Sequence, residues 1–188
     1  MDAGSIALSV VTGLALAAAA GLRAFVPLLA AGLAIHFGVV EPAAGFAWLG
    51  QPIALLALAA ATALEVGAYY LPGLDHALDV LAAPLALVAG IVVAASVMAD
   101  LPPWLRWLAA IVAGGGATAA SYSFTSLARA KSGLATGGLA NPLVSTAELA
   151  GSVLIAALAL LAPIVAVFAL AWILIAVTRR WWRGRGPR

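Results

Sequence analysis

Residues 5–38 read SIALSVVTGLALAAAAGLRAFVPLLAAGLAIHFG, an apolar run in which Arg23 is the single charged side chain. A helix crosses the ~30 Å hydrocarbon core of a bilayer in about 20 residues, so this run is too long for one untilted crossing. Gly21, Arg23 and Pro27 interrupt it. Glycine and proline weaken a helix interior, and an arginine in lipid demands a partner. The stretch therefore predicts an all-α membrane protein whose first segment is a broken helix.

Composition extends that reading to the whole chain. Of its 188 residues, 65% are hydrophobic, 9% are charged and 49 are alanine, and the mean hydropathy is +1.15. Soluble domains carry about a quarter charged residues and about 45–50% apolar ones, so this chain needs lipid around it. With no cysteine there is no disulfide framework, thiolate nucleophile or cysteine metal site. The net charge of +2 comes mainly from Arg179, Arg180, Arg183, Arg185 and Arg188. These form a juxtamembrane cluster and not a basic face, so nucleic acid is not an expected partner. Met1 and Asp2 supply no positive region before the apolar run, so no cleaved signal peptide is expected.

The 20-residue ruler divides the rest into about 5–7 hydrophobic segments. Residues 51–71 and 80–99 each fit one crossing, joined by a turn with Pro72, Gly73 and Asp75, the last placed to cap the next helix. Pro102 and Pro103 close this half. A third run starts at Trp104, softens at Gly114, Gly115 and Gly116, and turns hydroxyl-rich from Ser121 to Ser126. Residues 132–142 read as a loop, and 146–178 is apolar with Pro163 in its middle. Residues 1–178 thus form one transmembrane domain and 179–188 a basic tail. Setting Phe25 against Phe124 and Glu65 against Glu148 suggests a two-fold repeat, with halves 1–100 and 101–178. Repeated halves with broken helices are a sequence pointer to a transporter's midplane site.

Positive residues set the orientation. The arginine tail places the C-terminus in the cytoplasm, with Trp181 and Trp182 at headgroup level. Arg106 then falls inside, and Arg129 and Lys131 do so if 107–135 forms a re-entrant hairpin.

Few charges remain that lipid would not tolerate alone. Arg23 costs at least ~2.5–3.5 kcal/mol at a bilayer centre, so it needs a carboxylate, water or an anionic ligand; the bland alternative is snorkelling at a helix end. Glu65 shares a helical face with Thr62 and Tyr69 and is otherwise surrounded by alanine, which lets another helix approach. It is a candidate proton carrier or counter-ion of Arg23, or else merely wet near the headgroups. Ser145-Thr-Ala-Glu148 has the form of a capping box, and Asn141, Pro142 and Ser152 add polar groups that suit a substrate role as well. Asp75, His76 and Asp79 are explained by a capped, solvated turn without any metal. There is no GxSxG, HExxH or phosphate-binding glycine loop, and neither histidine has an evident partner, so no enzyme, metal or cofactor is expected.

At Gly21-Leu-Arg-Ala-Phe-Val-Pro-Leu-Leu-Ala-Ala-Gly32, at the Glu65 helix running into Pro72-Gly-Leu-Asp75, and at Gly137-Gly-Leu-Ala-Asn-Pro-Leu-Val-Ser145 followed by Glu148, the chain resembles the bacterial membrane proteins of domain-of-unknown-function family 4126. The resemblance covers nearly the whole chain. It implies a small multi-pass protein of the bacterial inner membrane and brings no activity. Where the family pattern has a second acidic residue after the glutamate, this chain has Leu149, which weakens the case for a paired carboxylate. Gly21 to Pro27 alone is also similar to a stretch of the DedA membrane proteins, which are linked to moving phosphorylated isoprenoid lipid.

These residues lead to an expectation of a small homo-oligomeric transporter or flippase-like protein for an anionic small molecule or lipid head group. Arg23, Glu65, Tyr69, Asn141, Ser145 and Glu148 would line its site. The alternative is a non-transporting scaffold held by a structural Arg23–Glu65 pair. A cavity reaching Arg23 favours the first reading, and an Arg23 packed wholly in protein favours the second.

Overall fold

Ala15, Leu16 and Ala17 to Ala20 are fully buried in the computed structural model, which makes the alanine-rich end of the first helix the centre of the protein. The structure describes residues 2–68, 75–137, 141–166 and the single positions 168, 172, 175 and 179; the side chains of 75–80, 135 and 141 lie outside that description. The elements in order are α1 (Ala3–Ala20), α2 (Phe25–His36), a 3-10 turn (Ala47–Gly50), α3 (Pro52–Ala68), α4 (Asp75–Val97), α5 (Pro103–Ala109), a π turn (Ala110–Gly114), α6 (Gly115–Thr136) and α7 (Asn141–Leu161). Among the described residues the regular structure is all helical.

Small side chains let α4, α6 and α7 close around α1. Backbones can approach where glycine, alanine, serine and threonine meet, and their hydroxyls then bond across helices. Thr118 Oγ1 on α6 stands 2.8 Å from the Ala17 carbonyl and 2.9 Å from that of Gly114. Ser152 on α7 donates to the Ala19 carbonyl at 3.0 Å. A Cβ on Gly21 would sit 2.5 Å from the Thr118 carbonyl oxygen, and one on Gly90 would collide with Thr118 Oγ1.

The expected break in the first run is present: α1 stops at Ala20 and α2 starts at Phe25. Pro27 falls in the first turn of α2, where a missing N–H costs nothing. The break before Pro163 is present too, since α7 ends at Leu161 and Ala162 is non-helical.

Three boundaries differ from the sequence reading. Residues 103–136 form one continuous helical run through the π turn and not a re-entrant hairpin. None of Gly114, Gly115 and Gly116 takes the positive φ that would turn the chain; among the described residues only Gly38, Gly45 and Gly137 do. The loop expected at 132–142 is shorter, because α6 continues to Thr136, where Gly137 at φ +61° ends it. α7 in turn already starts at Asn141, so Ser145 and Glu148 lie inside the helix and do not cap it. Phe124, matched to Phe25 in the repeat alignment, is within unbroken α6.

Two helices, Ala3–Ala20 and Pro142–Leu161, are long and apolar enough to cross a membrane; Phe25–His36, Pro52–Ala68 and Leu81–Val97 are shorter apolar helices. The outer faces carry many exposed apolar side chains, including Ile53, Leu56 and Leu64 on α3, Trp104 on α5 and Leu154 on α7. α3 has no buried residue and packs principally on α2 and the 3-10 turn.

Arg106, expected as an interfacial marker, is buried. It donates to the Ala44 carbonyl at 3.1 Å and stands 5.8 Å from the Phe46 ring centroid. This ties the 37–46 connection to the start of α5, and Ala43 N–H to the Ser96 carbonyl, at 2.8 Å, ties it to α4.

Candidate functional site

The helix break between α1 and α2 generates the site because it releases main-chain amides. The N–H groups of Leu22 and Arg23 still reach back to the Ala19 carbonyl, at 3.0 and 3.1 Å. Those of Ala24 and Phe25 open α2 and have no carbonyl behind them. Glu65 takes both: Ala24 N–H donates to Oε1 at 2.8 Å and Phe25 N–H to Oε2 at 3.1 Å. A carboxylate at a helix N-terminus meets two orphan donors and the positive end of the helix dipole together. The charges of Arg23 and Arg129 attract the same carboxylate.

Arg23 points the other way, into the protein. Its side chain is 1% exposed, and Nη2 donates to the Ser145 carbonyl at 3.0 Å and to the Ser145 hydroxyl. The same nitrogen stands 3.5 Å from Glu148 Oε2. Arg129 of α6 grips Glu148 from the other side. Its Nε donates to Oε1 at 2.7 Å and its Nη2 to Oε2, the two-pronged geometry that a guanidinium offers a carboxylate. Buried charges are costly unless paired and hydrogen-bonded, and Glu148, 4% exposed between two guanidiniums, meets both conditions.

Beside this cluster lies a cavity of about 760 Å³. Glu65, Arg129, Ser145, Tyr122, Thr125 and Ser126 form its polar wall, and Ala61, Leu64, Ala68, Leu81, Leu85 and Ala86 of α3 and α4 its apolar one. Leu64 and Leu81 line the cavity and are largely exposed, and among the described residues α3 and α4 scarcely touch, so the cavity opens through the seam between them. Pro84 within α4 deprives the helix of one amide hydrogen bond at this level.

Of the six residues expected here, Glu65 and Ser145 border the cavity, while Arg23 and Glu148 stand behind its wall. Asn141 contributes the first residue of α7, its side chain outside the description, and Tyr69 lies outside the described residues. Arg23 and Glu65 converge on the helix break without the direct pairing that the sequence suggests, because the amides of Ala24 and Phe25 come first to the carboxylate. Arg129 was not among the expected site residues. The signal for it was the spacing of Tyr122, Thr125, Ser126 and Arg129, which recur every three to four residues on one face of α6. Among the described residues no group of three His, Asp or Glu side chains is placed to hold a metal.

No curated protein and no solved structure matches this chain. The family model described as a domain of unknown function (DUF4126) matches residues 10–183, a span that takes in the helix break, the four charged residues and the whole cavity wall, and the chain belongs to that family.

Proposed function

We propose that the chain is a small multi-pass protein of the bacterial inner membrane that carries an anionic small molecule or a lipid head group across it in a flippase-like manner. The observation that carries this reading is the cavity, with Arg129 and hydroxyl groups on α6 and α7, Glu65 at its edge on α3, and otherwise alanine and leucine from α3 and α4. Ligand sites are typically apolar clefts of about 300–1,000 Å³ with a few convergent polar groups, and this one lies in that range. The apolar outer faces suit lipid, and the arginine-rich tail suits a cytoplasmic C-terminus. The alanine and glycine surfaces suit a homo-oligomer. Arg129 takes the ligand-facing role, and Arg23 holds Glu148 and Ser145 in place behind it.

A second reading is a non-transporting scaffold. Arg23 is packed in protein, bonded to Ser145 and beside Glu148, and does not line the cavity, which is the arrangement the sequence reading sets against transport through Arg23; the carrier reading therefore rests on Arg129 at the cavity wall in its place. Vesicles holding the purified protein separate the two. Dithionite bleaching of a fluorescent phosphatidylethanolamine labelled on its acyl chain, with its head group free, should reach inner-leaflet lipid only with active protein. Glu65→Gln, which keeps an amide acceptor at the helix break, should slow that transfer at least about tenfold while assembly persists. No transfer by the wild-type protein, or a variant that fails to assemble, would favour the scaffold.

A further inference from the structure

We infer that the cavity takes a zwitterionic phospholipid, its head bearing a phosphate and a primary ammonium, and that this lipid enters sideways between α3 and α4. The inference rests on the carrier reading above and names its substrate class. Among the described residues that line the cavity, Arg129 and Glu65 are the charged ones. Arg23 and Glu148 stand behind the wall, and Glu148 sits between the two guanidiniums, so its one negative charge is shared by Arg23 and Arg129 and leaves the group a net positive charge. A purely anionic ligand would gain attraction from Arg129 and meet repulsion from Glu65. A head group with both signs meets complementary charge at each: phosphate oxygens toward Arg129 and the Ser145 hydroxyl, ammonium hydrogens toward Glu65. Each Glu65 oxygen accepts one amide bond. A carboxylate has about four lone-pair sites, so it can accept an ammonium without releasing α2.

The segregation of the walls decides between a lipid and a free phosphoester. Glu65 aside, the polar lining belongs to α6 and α7, while α3 and α4 contribute alanine and leucine. The volume of about 760 Å³ far exceeds that of a phosphoester head alone. A free head group would leave the apolar wall facing water, whereas an acyl chain covers it. The way out for that chain is the seam between α3 and α4. There α3 buries no residue, and Leu64 and Leu81, 73% and 63% exposed, lie on the rim.

The test is native mass spectrometry of the full chain in a neutral detergent. Phosphatidylethanolamine, phosphatidylcholine and phosphatidylglycerol of one chain length are supplied equally, and free phosphoethanolamine separately. The ethanolamine lipid should bind about tenfold more tightly than either competitor, since choline lacks N–H donors and glycerol lacks the cation. In Glu65→Gln that preference should fall toward parity while lipid still binds. The wild-type comparison decides the matter alone if the variant does not fold. Equal binding of the three heads overturns the inference and leaves the carrier reading standing. Free phosphoethanolamine binding as tightly as its lipid overturns the sideways, chain-in arrangement. Absence of both lipid binding and vesicle transfer removes the carrier reading as well.

Discussion

Arg129 of α6 and Glu148 of α7 meet through two contacts, one of them Nε to Oε1 at 2.7 Å, and so clamp the two helices together at the edge of the cavity. Arg23 approaches the same carboxylate to 3.5 Å from the helix break. The helix break, more than 100 residues away in sequence, is thus held with α6 and α7 at one buried carboxylate, and the polar wall of the cavity is built on it.

Removing that carboxylate charge should be the most damaging single change at the site. Glu148→Gln leaves two guanidiniums facing each other in the interior, and breaking a buried ion pair costs about 3–5 kcal/mol. Thermal unfolding in detergent should show it as a large drop in midpoint. The double variant Arg129→Met/Glu148→Leu should be less destabilised than the sum of its singles, since no unpaired partner is left in that pair.

Glu65 plays a different part, and its variants should report on a different place. Glu65→Leu deprives the Ala24 and Phe25 amides of their acceptors, and loss of an N-terminal cap costs about 0.5–2 kcal/mol. Hydrogen exchange resolved to single amides should quicken at Ala24 and Phe25 while the amides of α7 stay as slow as before. Unchanged exchange at both positions would show that Glu65 does not close α2.

Spacing between α4 and α6 is set by Gly90 against Thr118. A Cβ at 90 collides with Thr118 Oγ1, so Gly90→Ala should destabilise by about 1–3 kcal/mol through overpacking. Gly116, two residues before Thr118 on α6, has nothing within 4 Å of an added Cβ. Gly116→Ala should be neutral or stabilising by up to about 1 kcal/mol, because alanine is the better helix former. Unfolding midpoints measured side by side check both signs.

Much of this was legible from cost and interruption. Gly21 and Pro27 mark the break because glycine and proline weaken a helix interior, and Pro163 marks the end of α7 because the residue before a proline is pushed out of helical conformation. Glu65 was legible as a carboxylate that needs a partner, but that partner is main chain, and freed amides leave no trace in residue identity. The partnership of Arg129 with Glu148 depends on how α6 lies against α7. With 49 alanines the interhelical faces look alike, so periodicity could not say which meet. The Ser145–Glu148 spacing imitates a capping box; in the fold both side chains face inward, where Arg23 and Arg129 reach them. The triple glycine at 114–116 softens the run in sequence, yet the chain stays helical there, and Gly114 lets α4 come close: an added Cβ would lie 3.0 Å from that of Ala94.

The central claim is that the cavity between the Arg129 wall and the α3–α4 seam holds a lipid head group. An experimental structure of the full chain, purified with phosphatidylethanolamine, tests it most directly. Phosphate density within hydrogen-bond reach of Arg129 and Ser145 is the expected result, with the amine beside Glu65 and chain density leaving between Leu64 and Leu81. A cavity closed by α3 packed against α4, with no head-group density beside Arg129, would contradict it.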